Sequence, residues 1–442
     1  MKPAVDLLHA LIRERPALAT ESWQVLAKAM ERRAVWNASG AIACDLLSPI
    51  FVSESDYKRR QEAANAVVAA ITHAWRGLVA APEARRKLGY PHSIDPLVEM
   101  DGSDQLAALW GRLDGLIAKD GEIRFIEFNT MPGGMANAED LDLCFEENPL
   151  MQEWAKHFRS RTVPTKERSA ESLLAVFSAR GGSGWPTIAV DEYGPQKSYD
   201  DAPKLTGALL ERGGKFVIAS PDEWELTEGR LLARGVPVDF FAGAPFHPDE
   251  HAIMRAIRLG AVSAFNGLAR CELAGSKRLF EILSSEEGLQ TLPERLAKAV
   301  RKHIPWTRVM AERVTSAPDG STVDLGEFVR ANQKSLVSKP AEGFGGDGVV
   351  LGWNVTPAEW EAATTKSPAW SCVIQERVLT ERQVFPCVDA EGKVSFDERS
   401  TDFNLFTWRD SVADGAMNRA STRDLMNIAS GGSRAAMFIV EE

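Results

Sequence analysis

The chain has 442 residues, 44% of them apolar and 26% charged, and a formal net charge of −11. That length exceeds one ordinary core and predicts about two to four domains in a soluble globular protein. The acidic balance excludes nucleic acid as the main partner, because phosphate backbones need a basic surface, but it allows a local basic pocket.

Residues 1–85 carry apolar residues at three- and four-residue spacing in AVDLLHALIRE, SWQVLAKAMERRAVW and DYKRRQEAANAVVAAITHAWRGLVA. This predicts a helical N-terminal region that packs and carries no chemistry. In the next segment, 86–165, LWGRLDGLIAKDGEIRFIEFN predicts a β-hairpin turning at Asp120-Gly121. A helical stretch, LDLCFEENPLMQEWAKHFRSR, follows.

Residues 166–275 alternate. ESLLAVFSARG, APKLTGALLERGG and PDEHAIMRAIRLGA are predicted helices; TIAVDE, KFVIAS and VSAFNG are predicted strands. That alternation predicts a mainly parallel sheet in an α/β domain. Residues 276–442 place two helices, SKRLFEILSS and LPERLAKAVRKHI, before a strand-rich end. SLVSKPAEGFGGDGVVLG reads as strand, Gly-rich loop, strand; CVIQERV, KVSFDERSTDFNLFTWR and a closing AAMFIV add further strands.

Five dispersed cysteines, Cys44, Cys144, Cys271, Cys372 and Cys387, predict reduced thiols, a cytoplasmic location and no structural zinc. HPDEH pairs His247 with His251 but has no third ligand. The start of the chain lacks a signal-peptide apolar run, since Arg13, Glu14 and Arg15 interrupt it, and no stretch has the length of a membrane span.

Three stretches carry candidate chemistry. After Lys339, four glycines, Gly343, Gly345, Gly346 and Gly348, allow positive φ and close backbone approach, so successive N–H groups can form an anion nest with Lys339 as a point charge. The loop is neither a Walker A motif nor a dinucleotide fingerprint, and a flexible hairpin is its other reading. The CVIQERV strand carries Gln375 and Glu376, suited to running past a nucleotide base or to a solvated edge. RFIEFNTMPGG places Glu127 and Asn129 two apart on a strand and so on one face. They are hard-oxygen ligands for a divalent cation, or a paired edge charge and a turn-starting amide.

With these residues the chain resembles the ATP-grasp superfamily. More narrowly it resembles the synthetase domain of glutathionylspermidine synthase and related permuted ATP-grasp ligases, over roughly residues 105–442. The motifs carry the resemblance: Arg112-Leu113-Asp114 before Glu127-Phe128-Asn129, Lys277 in AGSKRLFEIL, Lys339 to Val349, then Gln375-Glu376, with the acidic residues ahead of the Gly-rich loop. The resemblance implies an α/β (α+β) ATP-grasp fold in permuted order, with an inserted parallel α/β domain at 166–275 and a nucleotide-binding region at 276–442. It implies ATP and Mg²⁺, with Asp114, Glu127 and Asn129 on the metal. Lys277, Lys339, Gly343, Gly345, Gly346, Gln375 and Glu376 would hold the nucleotide. Arg112 would hold the transferred phosphoryl group or the substrate carboxylate, and Arg419 would face the reacting phosphate, with Arg434 as its rival.

The implied reaction joins a small carboxylate to an amine through an acylphosphate and releases ADP and phosphate, as in peptide, amino-acid or secondary-metabolite synthesis. A phosphotransferase, a ligase charging a carrier-protein thiol and a non-catalytic nucleotide binder stay open. Neither nucleic acid nor membrane is an expected partner; a homodimer is allowed. Where the family has an acidic residue after Glu-x-Asn this chain has Thr130, then Met131. That departure bears on the substrate, and so does NIASGGSR (Asn427 to Arg434), which reads as a second phosphate- or substrate-facing loop or as a plain turn.

Overall fold

The computed structural model describes residues 1–37, 40–101, 108–130, 133–191, 204–242, 250–264, 266, 273–343, 345–365, 372–409, 412–428 and 431–442. The predicted N-terminal helices form at Lys2–Glu14, Pro16–Arg32 and Glu54–Ala80. The longest starts cleanly because the Ser53 side chain accepts the Asp56 N–H at 3.1 Å, with Glu54 and Asp56 in the first turn against the helix dipole. Its buried face, including Tyr57, Ala64, Val67, Val68, Ile71 and Trp75, shares one core with the hairpin residues Leu113, Phe125 and Phe128 and with Met437 and Ile439 near the end of the chain.

One element there was not expected. Ile50–Ser53 is a strand, paired in parallel with Met437–Val440. A four-residue apolar run between helices carries no period of its own, and its partner lies at the far end of the chain.

The predicted hairpin forms as Trp110–Ile117 and Ile123–Asn129, with Gly121 at φ +81°. It joins an antiparallel seven-stranded sheet by pairing Trp110–Ile117 with Asn404–Trp408; beyond lie Val412–Ser421, Val394–Thr401 and Arg382–Val388, with Ser433–Ala435 beside Val412–Ser421. A second, four-stranded sheet runs Thr307–Val309, Cys372–Glu376, Leu336–Pro340, Val350–Leu351, so the strands flanking the Gly-rich loop pair with each other as predicted.

The alternating segment gives the expected parallel sheet, in the order Ser263–Ala264, Phe240–Phe241, Thr187–Asp191, Lys215–Ala219. After Lys215–Ala219 comes a small antiparallel sheet, Trp224–Thr227, Arg230–Ala233 and Val236–Pro237. Its first turn has positive φ at both Glu228 and Gly229, the twist a two-residue hairpin needs. The helical stretch after the site hairpin breaks into Met135–Glu146 and Pro149–Trp154 and then becomes the short strand Ser160–Arg161. Among the described residues no helix is long and apolar enough to cross a membrane. His251 does not act as a ligand here: it caps the helix Ala252–Arg258, its Nδ1 accepting the Ile253 N–H at 3.3 Å. His247 and Cys271 lie outside the described residues.

Candidate active site

The hairpin side of the site is built by a β-bulge. Arg112 pairs with Asn129 and Asp114 with Glu127, but the register then slips so that Gly115 faces Phe125, leaving Ile126 as the extra residue. The slip explains why Phe125 and Phe128, three apart, are both buried in the core while Glu127 and Asn129 stay on the other face with Arg112 and Asp114. Gly115 is required at the slip, since a Cβ there would stand 2.8 Å from Ile123 and 3.0 Å from the Phe403 carbonyl. Its N–H donates to Asn404 Oδ1 at 3.1 Å, and its carbonyl accepts the Phe403 N–H at 2.7 Å.

Asp114 sits at the centre of this face. Arg112 grips it in a fork, Nε to Oδ1 at 2.6 Å and Nη2 to Oδ2 at 3.1 Å; Asn129 Nδ2 adds 3.1 Å to Oδ1 and Arg419 Nη2 adds 3.2 Å to Oδ2. Burial pushes its carboxyl up, but the two guanidinium groups outweigh that and hold it below the usual carboxylate range. Arg419 is itself anchored on Asp402, through its N–H at 2.7 Å and Nε at 2.6 Å.

The loop side meets this face through two lysines. The carbonyl of Ile126, left over by the bulge, accepts from Lys339 Nζ at 3.2 Å, and Lys339 also donates to Gln375 Oε1 at 2.7 Å. Gln375 passes its amide on to Thr307 Oγ1 at 2.9 Å. Lys277 Nζ lies 3.0 Å from Glu127 Oε1 and 2.9 Å from the Gly343 carbonyl.

The Gly-rich loop is folded down over these groups. Gly343, Gly345, Gly346 and Gly348 all have positive φ, between +70° and +117°. Glu342 pairs with Arg278 on one side, and Asn427 Nδ2 donates to the Gly345 carbonyl on the other. The small cavity left beneath is lined by Glu127, Lys277, Glu342, Gly343 and Asp347. Gly346→Ala is expected to weaken nucleotide binding about 5–10-fold, roughly 1–1.4 kcal/mol of left-handed strain. The added Cβ would also stand 2.6 Å from Asn427 Nδ2. Titration of the variant with Mg-ATP checks it.

Burial lowers the Lys339 ammonium to about 8, against the partial support of the Glu127 carboxylate. Its folded pKa lies below the unfolded 10.5, so above pH 8 the unfolded state binds more protons and stability rises with pH. Urea melts between about pH 8 and 9 are expected to show the wild type gaining stability relative to Lys339→Met as pH rises, the thiols' contribution being common to both chains.

The structure therefore brings together Arg112, Asp114, Glu127, Asn129, Lys277, Lys339, Gln375, Arg419 and, through its carbonyl, Gly343. Gly345 and Gly346 lie on the same loop against Asn427. Glu376 stands apart, exposed at its strand end; its N–H goes to the Trp306 carbonyl and that of Arg377 to the Ser335 carbonyl, so neither is left for a base edge.

Arg434 lies opposite Arg419 across two paired strands, with Nη1 on the Gly134 carbonyl at 3.3 Å and on Met417 Sδ at 3.6 Å. Thr130 is buried, its carbonyl accepting from Asn266 Nδ2. Met131 and Pro132 lie outside the described residues, as do 429–430 within NIASGGSR. Asp402, Asn404, Thr307 and Asn266 escaped the sequence reading, whereas Asn427 entered it as the start of NIASGGSR. Only Asp402-x-Asn404 carried a signal, repeating the acid-x-Asn spacing of Glu127-x-Asn129.

Among the described residues no three or more His, Cys, Asp or Glu side chains group to hold a metal ion. Mg²⁺ does not need such a cage: one or two carboxylates with substrate phosphates suffice. The half-buried Glu127 carboxylate and Asn129 amide oxygen, on one face, fit that demand, and the positive-φ glycines fit a phosphate chain.

No family model matches the chain, and no curated protein sequence matches it. Among solved structures, the chain is similar to a glutathione synthetase-like effector from Globodera pallida, solved in its apo form, at a TM-score of 0.66 and 10% identity over 96% of this chain and 97% of that one. A likeness at that identity concerns the backbone and not the chemistry. The chain is a mixed α/β protein whose fold is similar to that of this glutathione synthetase-like effector.

Proposed function

We propose that the chain is an ATP-dependent ligase joining a small carboxylate to an amine through an acylphosphate. One observation carries the reading: Lys277 and Lys339, from the loop side, meet Glu127 and the Ile126 carbonyl at 3.0 and 3.2 Å, so phosphate-binding cations and a hard-oxygen edge converge. In this reading Lys277 and Lys339 hold the phosphates beneath the glycines, as point charges. Glu127, Asn129 and Asp114 would hold Mg²⁺, which would supply neutralisation of phosphate charge. Arg112 and Arg419 present planar forks to the transferred phosphoryl group or the acid.

The carboxylate oxygen attacks the γ-phosphorus and ADP leaves; the amine then attacks the acyl carbon and phosphate leaves. Little covalent work falls on the protein, which positions and neutralises. Residues 86–165 and 276–442 supply the nucleotide site in this scheme, 166–275 the substrate surface and 1–85 a buttress. The described cysteines, Cys44, Cys144, Cys372 and Cys387, are buried, as small core residues are.

A panel of amino acids and amines with Mg-ATP tests this, with phosphate release as the readout. ADP and phosphate are expected only when acid and nucleophile are both present; AMP and pyrophosphate would sink the acylphosphate route. A non-catalytic nucleotide binder is the second reading, favoured by the mutual neutralisation of Glu127 and Lys277. It predicts Mg-ATP binding by calorimetry and no turnover across the panel.

A further inference from the structure

We propose that Asp402 is a positioning residue that aims Arg419 at the terminal phosphate of the bound nucleotide. The inference rests on the nucleotide reading above. Asp402 lies in the short break between the strands Val394–Thr401 and Asn404–Trp408 and is only 3% exposed. Arg419 meets both of its carboxylate oxygens, Oδ1 through the backbone N–H and Oδ2 through Nε. The Asp402 N–H returns to the Arg419 carbonyl at 3.2 Å.

Holding Nε fixes the plane of the guanidinium. Nη2 then reaches Asp114, and Nη1 bonds nothing among the described residues. The result is an alternating row, Asp402, Arg419, Asp114, Arg112, in which each cation stands beside a buried anion.

The same turn sets the other end of the row. Asn404 takes the Gly115 N–H and Phe403 the Gly115 carbonyl, which holds the bulge that turns Asp114 into the site. Three consecutive residues thus fix both Arg419 and the carboxylate it shares with Arg112. Burial raises Asp402 above the usual carboxylate range even with Arg419 beside it, so the charge is held at a cost. A purely structural contact could be made by an apolar residue without that cost.

The sign of one measurement separates positioning from bulk charge. Asp402→Asn removes a negative charge from a phosphate site, which by electrostatics alone would tighten ATP binding. Loss of the Nε anchor does the opposite, and only for the terminal phosphate.

Calorimetric titration of the full chain with Mg-ATP and Mg-ADP is the experiment, with melting temperature followed alongside. Asp402→Asn is expected to lose about 10–100-fold in ATP affinity, the range of one charge-assisted hydrogen bond, with ADP affinity within about twofold of wild type. Asp402→Glu, which keeps the charge but displaces it, is expected to lose less of the ATP preference, and it carries the test alone if the Asn variant does not fold. An unchanged or increased ATP preference in a folded variant overturns the inference while leaving the nucleotide reading standing. A wild-type chain that binds neither nucleotide overturns that reading and this inference with it.

Discussion

Glu127→Gln is expected to lower turnover by about 10³-fold or more, with a stability loss of only about 1–3 kcal/mol. Glu127 is half-buried on the face shared with Asp114, and its carboxylate bears on both lysines of the site: it stands 3.0 Å from Lys277 and is the chief charge supporting Lys339 against burial. Glutamine keeps the shape and removes the charge. Lys277 retains the Gly343 carbonyl, so no buried cation is left without a partner and the fold survives.

Two consequences separate this variant from a folding defect. The Mg²⁺ dependence of turnover is expected to weaken, since the carboxylate best placed for the ion is gone. Lys339, already lowered to about 8, drops further without Glu127, so nucleotide affinity begins to fall at a lower pH than in the wild type. Steady-state rates and calorimetric titrations over about pH 7–9 measure both effects. A variant with wild-type kcat would remove Glu127 from the site.

Arg419→Met is expected to produce the largest loss of stability, about 3–5 kcal/mol in urea unfolding at neutral pH. Its guanidinium stands between Asp402 and Asp114, which are 3% and 4% exposed and each raise the cost of ionising the other's surroundings. Removing the cation strands Asp402 in the interior, while Asp114 keeps Arg112 and Asn129. The proof of cause is a recovery: Arg419→Met with Asp402→Asn is expected to regain part of the loss, because the stranded charge is gone.

The pH response has a definite sign as well. In the variant the folded pKa of Asp402 rises further above its unfolded value, so stability is greatest at low pH and is lost as pH rises through that folded pKa. The missing stability should therefore return on mild acidification. A loss that is the same at every pH would point to lost packing instead.

Much of the local architecture was legible in the residues. The hairpin at Asp120-Gly121, the strand–glycine–strand unit after Lys339 and the alternating parallel sheet each follow from signals a few residues long: turn geometry, positive φ and the change of period from helix to strand. The common face of Glu127 and Asn129 follows from strand period alone. The convergence of Lys277, Lys339, Arg112 and Arg419 on them came from the order of motifs.

Other features belong to the tertiary structure, because their partners are far apart in the chain. Nothing near Ile50–Ser53 announces that its strand partner is Met437–Val440. The bulge at Asp114/Gly115, which frees the Ile126 carbonyl for Lys339, depends on Phe403 and Asn404 closing over it. The resemblance offered Arg419 with Arg434 as its rival; the pairing of Val412–Ser421 with Ser433–Ala435 sets them side by side, and Arg419, anchored on Asp402, is the one that reaches Asp114.

The sequence by itself determined the reactive residue types and the strand-and-turn units that carry them, since these depend on neighbours within a few positions. Which cation faces which anion was decided only by the fold, because a buried charge is stabilised by whatever the non-local pairing places within about 3 Å of it.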